Sequence, residues 1–476
     1  MSDSIIKKSI LPLIGSMGKY LIQIVRVGII ARFVLPEDYG IVAAVQGIIG
    51  LSTILGDFGM TTAALQKRTL SSNSESAFFW FNVVIGSLLV IILSLIAPFI
   101  GNYLNNFEAV NIVYALAINY LIISLYSQAL VKLKRELKFK RITLLEISTT
   151  IVSSFVGVML AINGYKYWSL IYMQLADSIL LLFGYFILSK YKIRKFKIDD
   201  EIKGSMKFGI SVNIMNVLNR ITKNADLSLL GRFAGITATG FYSRAISLTN
   251  ILNTQLRGTI FTVSFPILAK NQDNDLVFFK KIFESYALIV FINCLIGGVL
   301  FWFADVIISL YLGPGWDDVV PLLRIISVSF LFLPFNTISD QIPLAKGDSL
   351  SYNKIGVAKN VIKLSLIISG TLFWGLWGCA LGLVISEFVN VFIIILLMKK
   401  YTLQINKFVL TSLFPFLFCL SSGIVCYVLN SLVVDNIFNK LVAIALYCTL
   451  FFLQYIAVPA NSNYEKIKFN AFFSKK

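Results

Sequence analysis

AFFWFNVVIGSLLVIILSLIAPFIG, residues 77–101, runs for 25 residues without one charged side chain. At about 1.5 Å of rise per residue, a helix of that length crosses a hydrocarbon layer of about 30 Å. The stretch decides the fold because the pattern recurs throughout the chain. Of the 476 residues, 57% are hydrophobic and 14% charged, against about 25% charged in an ordinary soluble domain. Apolar segments at 9–32, 39–65, 77–101, 109–131, 142–163, 168–189, 205–230, 238–264, 279–304, 318–342, 354–375, 377–399, 408–430 and 438–459 predict an all-α integral membrane protein of about fourteen transmembrane helices. The first segment carries Lys19 and Arg26 and lacks a small-residue cleavage site, so it is read as a retained span.

The loops set the expected topology. Residues 132–141 (KLKRELKFKR), 190–204 (KYKIRKFKIDDEIKG) and the tail from Asn461 to Lys476 are basic, and basic loops stay on the cytoplasmic side. Phe33–Asp38, Asn102–Glu108, Asp305–Asp318 and Ser431–Ile437 form the opposite set, with Lys166 and Arg232 as its clear cations. An even number of spans then places both termini in the cytoplasm.

Several functions drop out. No loop reaches twenty residues, which leaves no room for a nucleotide-binding domain or a large catalytic domain, and there is no GxxxxGK[ST] phosphate loop. Asp273-Asn274-Asp275 matches the D-x-D pattern of metal-dependent glycosyltransferases, but over only three residues in a short loop. The net charge of +18 sits in short loops, which speaks for membrane topology rather than nucleic acid. With no histidine and five cysteines (Cys294, Cys379, Cys419, Cys426, Cys448) inside apolar stretches, no metal, cofactor or redox pair is expected.

Two internal matches suggest a repeat. Arg32-Phe33 followed by Gly40 is echoed by Arg232-Phe233 followed by Gly240, and WSLIYMQLAD (Trp168–Asp177) aligns with GCALGLVISE (Gly378–Glu387), each ending in a carboxylate. The expected organisation is an N-terminal lobe over 1–200 (spans 1–6), a C-terminal lobe over 201–400 (spans 7–12), and spans 13–14 with the tail over 401–476.

Charges at span centres cost about 2.5–3.5 kcal/mol each against lipid, so they should face protein or water. Lys19, Gln23 and Arg26 share one stripe of the first span, and Asn213, Asn216, Arg220 and Lys223 share one of the seventh, at about 100° per residue. Span eight adds Arg244, Asn250, Asn253 and Arg257, and span eleven adds Lys359 and Lys363. Snorkelling competes with a cavity position for Lys207, Lys359 and Arg244. Ion pairing with Asp57, Asp177 or Asp226 competes for Arg26, Arg220 and Lys223. Surplus cations around water would hold an anion, most naturally a phosphate or pyrophosphate. Lys19, Arg26, Arg220, Lys223, Arg244, Arg257, Lys359 and Lys363 are therefore the candidates for a pyrophosphate or acidic sugar, and Gln23, Asn213, Asn216, Asn250 and Asn253 for sugar hydroxyls. Carboxylates at membrane depth (Asp57, Glu146, Asp177, Asp226, Glu284, Asp340, Glu387) either pair with these cations or bind a coupling H+ or Na+, with Asp57, Asp177, Asp226 and Glu387 taken as coupling candidates.

Ala31–Lys67 (ARFVLPEDYGIVAAVQGIIGLSTILGDFGMTTAALQK), Thr239–Leu248 (TGFYSRAISL) and Gly164–Leu175 (GYKYWSLIYMQL) resemble the corresponding parts of bacterial oligosaccharide flippases. The resemblance, to oligosaccharide, O-antigen and exopolysaccharide flippases, covers essentially the whole chain and is strongest toward the branch that includes colanic acid and other exopolysaccharide exporters. It implies the fold of the multidrug/oligosaccharidyl-lipid/polysaccharide exporter superfamily: two six-helix lobes around a central cavity, with two added helices outside. It also implies an undecaprenyl-pyrophosphate-linked oligosaccharide as substrate, moved across the inner membrane by alternating access, with membrane lipid, a polysaccharide polymerase and chain-length proteins as partners. A multidrug exporter of the same fold would want surplus carboxylate instead. An integral-membrane polymerase would be an enzyme and would need a catalytic loop, and a non-transporting scaffold would need no cation stripes.

Overall fold

The computed structural model describes residues 2–50, 72–194, 222, 224–400, 405–432 and 437–457. Among these the elements are helical: α1 Ser2–Ile30, α2 Pro36–Ile49, α3 Ser72–Tyr103, α4 Glu108–Arg135, α5 Phe139–Ile162, α6 Lys166–Ser189, α7 over 224–233, α8 Ile236–Lys270, α9 Asp275–Trp302, α10 Ala304–Tyr311, α11 Val319–Ser327, a 3-10 turn Val328–Leu331, α12 Leu333–Ala345, α13 Ser349–Lys400, α14 Ile405–Leu432 and α15 Ile437–Ala457. Eight described helices are long and apolar enough to cross a membrane, nine if the bent pair Val319–Leu331 and Leu333–Ala345 forms one span. Large apolar side chains such as Leu95, Phe99, Ile187 and Phe373 stay exposed, as a lipid-facing surface requires.

Helix ends follow local chemistry. Lys132, Lys134 and Arg135 fill the last turn of α4, where cations meet the negative end of the helix dipole. Asn274 caps α9 by accepting from the Val277 N–H at 3.2 Å, and Asp275 takes Lys346 at 2.6 Å. The D-x-D match is thus a helix start and its tether.

The expected break near residue 376 is where α13 reverses. Trp374 and Gly375 are non-helical, and Gly375 has φ 56°. The two arms then pack backbone to backbone: a Cβ on Gly370 would lie 2.1 Å from the Gly378 carbonyl oxygen, and one on Gly378 1.9 Å from the Gly370 oxygen. Only glycine at both positions permits that approach.

The chain divides into two compact units, Met1–Ser243 with Leu312–Gly315, and Arg244–Tyr311 with Trp316–Lys476. In the first unit α3 packs on α4, α5 on α6, and α1 on α5. There Gly40 and Gly240, two hundred positions apart, meet at a reciprocal crossing. A Cβ on Gly40 would lie 1.9 Å from the Ile236 carbonyl oxygen, and one on Gly240 1.9 Å from the Pro36 oxygen. Nearby, Arg232 donates to the Tyr103 carbonyl at 2.9 Å and to Asn105 Oδ1 at 3.0 Å.

In the second unit α9 is the centre. Its Phe278 and Tyr286 are buried together with Phe335, Phe408 and Phe451 from neighbouring helices, and the Phe283 and Phe408 ring centroids are 4.2 Å apart. The two C-terminal helices, α14 and α15, dock against α9 through these aromatic contacts.

Candidate functional site

In the second unit, three helices bring charge together. Arg257 on α8 reaches Asp340 on α12 with Nη2–Oδ2 at 2.8 Å, and Lys359 on α13 reaches the other carboxylate oxygen at 3.1 Å. Lys359 also donates to Ser339 Oγ and, at 3.4 Å, to the Asn336 carbonyl. Asn336 in turn donates through Nδ2 to Glu387 on the second arm of α13. The snorkelling alternative for Lys359 is overturned, since its side chain is 13% exposed and turned onto α12.

In the first unit, Lys19 on α1 stands 3.5 Å from Glu146 on α5, which also accepts from the Tyr185 hydroxyl at 2.8 Å. Lys19, Tyr20, Gln23, Thr143 and Glu146 line a cavity of about 340 Å³. Arg26 lies two turns further along α1, half-buried. The carboxylates Asp177 and Asp226 accept from hydroxyls, Ser153 at 3.3 Å and Tyr242 at 3.0 Å.

A family model described as polysaccharide biosynthesis protein matches residues 29–321. The chain belongs to that family. Lipopolysaccharide biosynthesis protein WzxC of Escherichia coli is 24% identical over 417 residues, covering 86% of this chain and 84% of that protein. Succinoglycan biosynthesis transport protein ExoT of Rhizobium meliloti is 24% identical over 256 residues, 53% of this chain and 51% of that protein. Among solved structures, lipid II flippase MurJ in an inward closed conformation superposes with a TM-score of 0.74 at 17% identity, over 94% of this chain and 98% of that one. At that identity the likeness is one of fold.

The remaining candidates of this polysaccharide biosynthesis family member fall into three groups. Arg220, Lys223, Asn213, Asn216 and Asp57 lie outside the described residues. Arg244 is half-buried and Asn250 exposed on α8, while Asn253 keeps a buried Oδ1 with no donor among the described residues. Lys363, one turn beyond Lys359, is half-buried and has no ion pair or side-chain hydrogen bond among the described residues. The structure adds groups the stripes did not flag: Tyr185, Ser339, Asn336 and, as the bridging carboxylate, Asp340. Only Asp340 carried a sequence signal, as a carboxylate inside an apolar segment.

On the face that carries Phe33–Asp38 and Asn102–Glu108, a polar pocket of about 450 Å³ is lined by Glu37, Asp38, Asn105, Glu108 and Lys166 among others. Asp38, just ahead of the predicted second span, is buried and accepts from the Tyr167 N–H at 3.3 Å. Burial raises its pKa above the ordinary carboxylate value, and the Leu35 and Tyr167 backbone hydrogen bonds oppose that rise.

Proposed function

We propose that this protein is a flippase that carries an undecaprenyl-pyrophosphate-linked oligosaccharide from the cytoplasmic to the periplasmic leaflet of a bacterial inner membrane by alternating access. The observation that carries the reading is the pair Arg257 and Lys359, two cations brought together on one carboxylate by three helices of a polysaccharide biosynthesis family member. Guanidinium and ammonium groups suit diphosphate oxygens. Lys19 with Gln23, and Arg26 beyond them, offer a second polar stripe for phosphate or sugar. Arg220, Lys223, Arg244 and Lys363 complete the cation set, and Asn250, Asn253, Asn213 and Asn216 suit sugar hydroxyls.

The product is a surface polysaccharide, whether exopolysaccharide, capsule or O-antigen, and the protein is a carrier rather than an enzyme. Both termini lie in the cytoplasm, as the basic loops direct. Asp177 and Glu387 are bonded to neutral donors and suit a coupling H+ or Na+, with Asp226 and Asp57 assigned the same role. Polymerase and chain-length proteins would receive the product. Complementation tests the reading. Expression in flippase-null strains that make defined polysaccharides should restore export, and Arg257→Gln or Lys359→Gln should abolish it at equal protein level. Normal export in both variants and in their double mutant would refute the assigned sites.

A further inference from the structure

Asp340 occupies the space between the two cations assigned above to the substrate's phosphate. Its two carboxylate oxygens are divided between them, Oδ2 to Arg257 at 2.8 Å and Oδ1 to Lys359 at 3.1 Å. A phosphate oxygen pair bridging a guanidinium and an ammonium would make the same two contacts. The other intramembrane carboxylate of this network, Glu387, is bonded to Asn336.

Two features make Asp340 displaceable. Its side chain retains 29% exposure and that of Arg257 38%, so the pair is open on one side. Lys359 does not depend on Asp340 for its position, because Ser339 Oγ and the Asn336 carbonyl hold the ammonium as well. If the carboxylate turned away, Lys359 would remain in place.

A carrier must also release what it binds, and conduction through any site requires binding strong enough to enter but weak enough to leave. Two bare cations at membrane depth would hold a multiply charged diphosphate too long.

We infer that Asp340 is a resident counter-anion, which fills the phosphate position of the empty site and lowers substrate affinity by competing for Arg257 and Lys359. The inference rests on the flippase reading and gives Asp340 a part in it that a structural ion pair does not share. A structural partner would weaken ligand binding when its charge is removed, because the site would lose its shape. A competitor would strengthen it.

Pyrophosphate binding to the full-length protein in lipid nanodiscs, followed by calorimetry, separates the two. Asp340→Asn and Asp340→Ser are expected to bind inorganic pyrophosphate at least tenfold more tightly than wild type, with a steeper loss of affinity as salt rises. Farnesyl pyrophosphate should show the same gain, and a gain confined to inorganic pyrophosphate would place the site out of a lipid's reach and overturn the inference. Asp340→Glu should stay near wild type, and adding Arg257→Gln to Asp340→Asn should cancel the gain. Unchanged or weaker pyrophosphate affinity in both charge-removing variants, each monodisperse on gel filtration, overturns the competitor role. It leaves the transport reading standing, since complementation by the wild-type chain tests that separately.

Discussion

Replacing Gly40 by alanine places a methyl group 1.9 Å from the Ile236 carbonyl oxygen, 2.8 Å from its carbon and 2.9 Å from the Gly240 nitrogen. All three neighbours are backbone, so none can rotate away. Reaching ordinary contact requires α2 and α8 to part by about 1.5 Å, and forced overpacking of that kind costs about 1–3 kcal/mol. Gly240→Ala meets the mirror obstacle, the Pro36 carbonyl oxygen at 1.9 Å, and should cost about the same. Gly258 supplies the control on the same helix as Gly240: a Cβ there meets nothing within 4 Å. Gly258→Ala should therefore gain up to about 1 kcal/mol from helix propensity alone. Thermal unfolding of the purified protein, followed by size-exclusion fluorescence, should rank Gly258→Ala at or above wild type and the two crossing variants clearly below. The double variant should lose less than the two single losses combined, because helices parted by one methyl leave room for the second. Crossing variants as stable as Gly258→Ala would refute the close approach and the reasoning built on it.

Asp38→Asn should raise thermal stability at neutral pH. Burial raises the folded-state pKa of Asp38, so the folded protein binds that proton more tightly than the unfolded chain; stability from this group is greatest at low pH and falls as pH climbs through the unfolded and then the folded value. The wild type should lose stability over that acid range relative to the variant, and parallel melting profiles across pH would contradict it. Tyr185→Phe removes the 2.8 Å hydroxyl donor to Glu146, and a hydrogen bond to a charged group is worth about 1.5–3 kcal/mol; the melting temperature should fall, with Tyr191→Phe as a comparison outside the Glu146 cluster. Lys346→Ala frees the turn before α9 from its contacts to Asp275 and the Gln272 carbonyl. Because Asp275 is 68% exposed, the stability loss should stay within about 1 kcal/mol, while limited proteolysis at residues 271–274 should accelerate.

Hydropathy is a local property, and the helices were accordingly legible. The segment 109–131 is found within Glu108–Arg135, 142–163 over Phe139–Ile162 and 408–430 within Ile405–Leu432. The division between the segments 354–375 and 377–399 was legible to within two residues, since the helix breaks at Trp374 and Gly375. That Arg257 and Lys359 do not belong among lipid tails was equally plain from residue type. What they do instead was not. Arg257 lies 83 positions from Asp340, and Lys19 lies 127 from Glu146. Periodicity assigns a residue to a face of its own helix but says nothing of which helix covers that face. Residue chemistry determined by itself that this chain spans a membrane with charges it must hide. Tertiary packing alone decided that Asp340 would hide two of them, because only the folded chain brings α8, α12 and α13 within reach of one carboxylate.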